Sequence, residues 1–283
     1  MKQRALILAA SFTALASSAH AQNQTASSAA IWKQRVSFKS GDLTLVGFLF
    51  KPAGTGPFPA VVWNHGSEKS PGTSVQFDSV AGIFVPAGYV VFAPLRRGHG
   101  FSEGKYISDS TAEVREASGP DAAARLVVKL METQQLDDQL AGLAYVKQLS
   151  YVDTTRLVVA GCSYGGIQTL LGAERGAGYK AAIAISPAAL SWEGNKYLQD
   201  RLKVASRKIN VPTMLLQPPK DASLGPSNVL GAELKHLGAN FTGKVYPATG
   251  PEEQQQHCFG GAKGMHIWAP DALAFLKAAK ITK

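Results

Sequence analysis

Gly161-Cys162-Ser163-Tyr164-Gly165 sets a serine between two glycines, with Gly166 directly after. A serine hydroxyl is a poor nucleophile at neutral pH and becomes a good one when an imidazole takes its proton and a carboxylate orients that imidazole. The G-x-S-x-G pattern is common by chance, so its setting has to give it weight. An apolar, β-rich run through Leu157, Val158 and Val159 leads into it, and a helical segment from Gly166 to Glu174 follows. A sharp strand-to-helix turn of this kind strains the serine and crowds the backbone around it, which demands small flanking residues. It also aims the N-terminus of the helix at charge developing on a substrate.

A second match, Gly100-Phe101-Ser102-Glu103-Gly104, follows another apolar run. The residues after it, Lys105 to Ser110, carry no helical periodicity, so the strand-turn-helix setting is missing and Ser163 is favoured over Ser102. When such an elbow carries the serine, the acid and then the histidine follow in the chain. Asp221 stands just past the apolar run 211–217, in Pro218-Pro219-Lys220-Asp221. Asp221 is therefore assigned as the acid, over the alternative of a turn-forming aspartate in a proline-rich loop. His257 and His266 both lie where the base belongs. His257 sits in the freer loop, whereas His266 is only four residues before Pro270, so spacing favours His257.

The chain has two cysteines; Cys162 precedes the candidate nucleophile and Cys258 follows the candidate base. Contact between Ser163 and His257 would bring them near disulfide range, and the alternative is two buried thiols. A tetrahedral intermediate needs two backbone N–H donors. One is that of Tyr164, after the nucleophile, and the other is assigned to Ser67, after the run 60–66. His65 in that loop reads as structural. No metal-binding spacing joins the histidines at 65, 99, 236, 257 and 266, and no G-x-G-x-x-G opens a helix after the first strand, so neither metal nor cofactor is expected.

The elements that must position these residues read as alternating strands and helices. Arg35 to Lys51 alternates around Ser40-Gly41-Asp42 as an antiparallel hairpin. Apolar runs at 60–66, 89–98, 156–163, 181–187, 211–217 and 243–247 read as buried parallel strands. Pro120 to Leu149 reads as one or two helices, and Pro270 to Lys280 as a closing helix with proline in its first turn. The expected fold class is α/β, a mainly parallel central sheet with an N-terminal antiparallel hairpin and helices on both faces, with ligands at the carboxyl ends of the strands. Residues 99–120 and 188–200 are the expected pocket walls.

Met1-Lys2-Gln3-Arg4, an apolar stretch to Leu15 and Ala19-His20-Ala21 predict a signal peptide over 1–21, then a flexible leader over 22–33 and one domain over 34–283. Export to the periplasm or beyond follows, with no stable membrane insertion, since no later segment is apolar enough to span a bilayer. The formal charge is +9, two units of it in Lys2 and Arg4. The remaining basic residues are scattered rather than gathered in a stripe, which argues against a nucleic-acid partner.

Together His65-Gly66, Arg97-Gly98-His99-Gly100 with Ser102 and Gly104, the GCSYGG elbow and the segment Trp268 to Leu276 resemble the dienelactone hydrolase and prolyl-oligopeptidase-like branch of the α/β-hydrolases, over about residues 35–280. In that branch the R-G-x-G-x-S-x-G run is not catalytic. The resemblance implies an α/β-hydrolase fold and hydrolysis of a small-molecule ester through an acyl-enzyme. Dienelactone hydrolases proper carry cysteine where this chain has Ser163, so lactone hydrolysis is not implied. The arrangement Cys162-Ser163, Asp221, His257-Cys258 is similar to the CS-D-HC motif of tannases and feruloyl esterases, in which the cysteines are bonded. Two other functions are compatible with the fold: a serine peptidase of the oligopeptidase-like type, and a binding protein with a broken triad.

Overall fold

A computed structural model describes residues 31–70 and 75–282. The expected signal peptide and nearly all of the expected leader lie outside the described residues. The end of the leader does not: Trp32 and Lys33 pair with Lys51 and Phe50, so the first strand starts inside the segment expected to be free.

The hairpin forms as β1 (Trp32–Ser40) and β2 (Leu43–Lys51). β3 (Phe58–Asn64), β4 (Val90–Pro94), β5 (Val152–Cys162), β6 (Ala181–Ile185), β7 (Thr213–Gln217) and β8 (Phe241–Val245) complete one eight-stranded sheet. Its order is β1-β2-β4-β3-β5-β6-β7-β8, antiparallel at the β1/β2 and β2/β4 contacts and parallel elsewhere. β3, β4, β6 and β7 are buried along their whole length. That is why they read as continuous apolar runs rather than alternating ones.

Alternate residues of each strand feed two cores. Ala60, Val62, Leu157 and Val159 pack toward α3 (Gln134–Lys147), α4 (Tyr164–Arg175) and α5 (Lys196–Lys208). Val61, Trp63, Val158 and Ala160 pack toward α1 (Val75–Phe84) and α7 (Met265–Ala278). A strand's two-residue period thus binds helices to both faces. α2 (Ile107–Glu132) and α6 (Gly225–Leu234) complete the cover. None of the described helices is long and apolar enough to cross a membrane.

Two helices start earlier than the sequence implied. α2 is helical from Ile107, broken only at Gly119 (φ 84°), which precedes Pro120. Proline disfavours a helical residue before it, and glycine can take the positive φ of the break. The first half of α2 buries only Ile107, so it has no apolar stripe to read. α7 starts at Met265 and keeps Pro270 inside it, because Met265, Trp268 and Ala269 are all buried against the sheet.

The Arg97 loop is structural. Arg97 grips Asp138 through Nε at 2.9 Å and Nη2 at 2.7 Å, and Ser40 donates to the same carboxylate. The Ser102 hydroxyl donates to Leu95 O at 2.8 Å and accepts from Val46 N–H at 2.9 Å. Ser102 therefore holds main chain together, although a helix does begin soon after it.

Candidate active site

β5 ends at Cys162 and α4 begins at Tyr164, leaving Ser163 alone in the turn with φ 59° and ψ −120°. A non-glycine residue with positive φ is strained and persists only where its surroundings fix it. Here Ser163 N–H donates to Ile185 O at 3.0 Å, and Ser163 O accepts from Ile167 N–H at 3.1 Å. The flanking glycines are required by close approach. A Cβ on Gly161 would stand 2.6 Å from Asn64 O, and one on Gly165 would stand 1.9 Å from the same atom.

Asp221 lies in the loop past β7, its side chain fully buried. Its Oδ1 is 2.7 Å from His257 Nδ1, and Gln217 Nε2 donates to Oδ2 at 3.1 Å. Burial alone would raise this carboxyl. Hydrogen bonding and charge interaction with His257, together with hydrogen bonds from the Ser186 hydroxyl and the Ala222 N–H, outweigh that and hold it below the ordinary carboxylate range. A neutral His257 that donates from Nδ1 keeps Nε2 as its acceptor. Nε2 is buried and has no hydrogen-bond partner among the described residues.

Ser163 and His257 line one cavity of about 220 Å³, together with Gly66, Ser67 and the apolar side chains of Trp63, Ile185, Met265 and Trp268. No hydrogen bond joins Ser163 to His257 among the described residues. Ser163 also borders a second cavity of about 200 Å³, with Ser67, Tyr164, Ile107, Val127 and Met131. Ile107, Ser108, Ala188, Leu190 and Ser191 fall in the stretches expected as walls, whereas Trp63, Val127, Met131, Met265 and Trp268 do not. His266 is exposed on α7 and borders a different hollow, with Pro247 and Gln254.

Cys162 and Cys258 form a disulfide, with Cα atoms 6.1 Å apart. It ties the end of β5 to the stretch that follows His257. His65 is 1% exposed, accepting from Arg96 N–H at Nε2 and lying 2.9 Å from Gly66 O through Nδ1. Nδ1 therefore carries the proton. Burial first, then the charge of Arg96 and the neighbouring His99, holds its pKa well below the ordinary value, so His65 stays neutral and structural.

Sequence reasoning missed Ser186. It lies just past β6 with φ 47°, fully buried, and its hydroxyl meets both Asp221 and the Cys258 N–H. Its one legible signal is its place at the carboxyl end of a parallel strand beside the nucleophile's own.

Residues 121–201 match the model of the prolyl oligopeptidase family. A curated relative, the quorum-quenching protein AidA of Acinetobacter baumannii, is 28% identical over 152 residues, which are 54% of this chain and 43% of that one. The match thus spans less than half the length of that relative. Esterase Pf2001 of Pyrococcus furiosus superposes with a TM-score of 0.64 at 18% identity, over 88% of this chain and 93% of its own. Est1E of Butyrivibrio proteoclasticus, solved with ferulic acid, superposes with a TM-score of 0.64 at 17% identity, over 86% and 98%. The sheet order, the strand-to-helix elbow and these likenesses agree: the chain has the α/β-hydrolase fold, and its central segment is similar to the prolyl oligopeptidase family.

Proposed function

We propose that the protein is a serine hydrolase that cleaves a carboxylic ester through an acyl-enzyme. The observation that carries this is the Asp221–His257 hydrogen bond, set beside the cavity that the strained Ser163 borders. Ser163 Oγ attacks the carbonyl carbon as His257 Nε2 takes its proton, and Asp221 stabilises the imidazolium. The Tyr164 and Ser67 N–H groups receive the oxyanion. His257 then protonates the leaving alcohol, and water, activated by the same nitrogen, frees the acid. Catalysis needs no metal or cofactor. The partner is a small-molecule ester, and the Cys162–Cys258 bond fits an exported protein in an oxidising compartment.

The match to the prolyl oligopeptidase family supports a second reading, in which the same residues cleave an amide. Hydrolysis of p-nitrophenyl butyrate and of an aminoacyl p-nitroanilide by the purified protein separates the two. Ser163→Ala and His257→Ala are expected to lower kcat/KM by about 10⁴-fold or more. His266→Ala is expected to stay near wild type. Full activity in folded Ser163→Ala sinks the assignment.

A further inference from the structure

Arg96 follows β4 and is 1% exposed, yet no described ion pair gives it a carboxylate: Glu68 and Asp138 favour its charge only from beyond ion-pair range, and Asp138 is taken by Arg97. Its guanidinium serves the loop after β3 instead. Nη1 donates to His65 O at 2.9 Å and Nη2 to Gly66 O at 2.5 Å. The flat face of the same group lies 4.5 Å from the centre of the Tyr164 ring. Burying an unpaired cation costs several kcal/mol, and two carbonyls could be satisfied by a neutral donor. Burial lowers the pKa of Arg96 to about 10, which leaves it charged at neutral pH.

A planar trans peptide points its C=O and N–H to opposite sides. With the Gly66 oxygen held on the guanidinium, the Ser67 N–H faces away from Arg96. Ser67 borders both cavities that Ser163 borders. Tyr164 supplies the other donor, an N–H at the open first turn of α4, and its ring rests on Arg96. One side chain therefore touches both arms of the oxyanion hole.

We propose that Arg96 is a positioning residue for the oxyanion hole: its fork sets the Gly66–Ser67 peptide, its face seats Tyr164, and its buried charge favours the negative oxygen formed between them. The inference rests on Ser163 being the nucleophile. Charge behind a hole acts most strongly where water is excluded, and the fork cannot be reproduced by an ammonium.

Arg96→Lys keeps the charge and loses the fork, while Arg96→Met loses both. With p-nitrophenyl butyrate, kcat/KM is expected to fall roughly 10- to 100-fold in Arg96→Lys and further in Arg96→Met, carried by kcat, with KM within about twofold. Affinity for a trifluoromethyl ketone, which binds as a tetrahedral adduct, is expected to fall by the same factor, while inhibition by butyramide, an uncharged trigonal analogue, is unchanged. A merely structural arginine would not split these two inhibitors. A folded Arg96→Lys with wild-type kcat/KM and ketone affinity overturns the proposal. So does a loss confined to KM, or failure of both variants to fold, which would make Arg96 a residue of the fold alone. Failure of the underlying reading looks different: the wild type then hydrolyses no ester and takes no fluorophosphonate label.

Discussion

The Asp221 carboxylate is held from several sides, by His257, Gln217, Ser186 and its neighbour's N–H. Ser186 is the most revealing of these, because its hydroxyl also accepts from the Cys258 N–H and so links Asp221 to the loop that carries His257. Ser186→Ala leaves both groups short of a partner. A hydrogen bond to a charged group is worth about 1.5 to 3 kcal/mol, so kcat/KM is expected to fall roughly 10- to 100-fold in a protein that still folds. An unchanged ester assay would show that Gln217 and Ala222 suffice. The meeting of Asp221 with His257 beside the cavity of Ser163 was legible because order along the chain and the small residues of the elbow are one-dimensional signals. Ser186 and Arg96 were not, because each matters only through neighbours far away in sequence.

Among the elements, the stretch after His257 stands out. Cys258 (φ 53°), Phe259 (φ 57°) and Gly260 (φ 67°) run consecutively through the left-handed region, which is unfavourable for the first two. Besides the Ser186 contact, it is held by the disulfide to Cys162 and by Phe259, which is buried with its ring edge-on to Tyr246 at 5.1 Å. Cys258→Ser removes one anchor while the strain remains. The bond spans 96 residues, for which chain entropy gives about 4 to 5 kcal/mol. Cys258→Ser is expected to lower the denaturant midpoint by up to that stability and kcat more than KM, with reduction of the wild type giving the same change. The bounds of β6 and β7 were close to legible because burial on both faces writes itself as apolar runs, whereas β5 starts at Val152, four residues before its run, through exposed Thr154 and Thr155. The start of α2 was hidden by its polar surface, and that of α7 by packing that overrides Pro270.

For the whole molecule, the mainly parallel sheet and its covering helices followed from the alternation of runs, since each buried strand needs a helix on either face, whereas the strand order, with β4 between β2 and β3, is not written in that alternation. Two histidines beneath that surface contribute to its acid sensitivity. Burial and the charge of Arg96 hold His99 down to about 4 and His65 well below its ordinary value. With folded pKa values depressed, the unfolded chain binds more protons below about pH 6.5, so stability is full above that pH and is lost as pH falls. His99 alone is expected to contribute a loss of about 3 kcal/mol by pH 4. Denaturant midpoints measured from pH 8 to pH 4 check this, and a flat profile would contradict it. The disulfide has one more consequence. Because the chain holds only two cysteines, both bonded, no intrachain mispairing exists, and the bond can close only when β5 and the loop of the base have met. In a refolding mixture, a monomer that keeps its free thiols has therefore not yet secured β5 to the loop that carries His257.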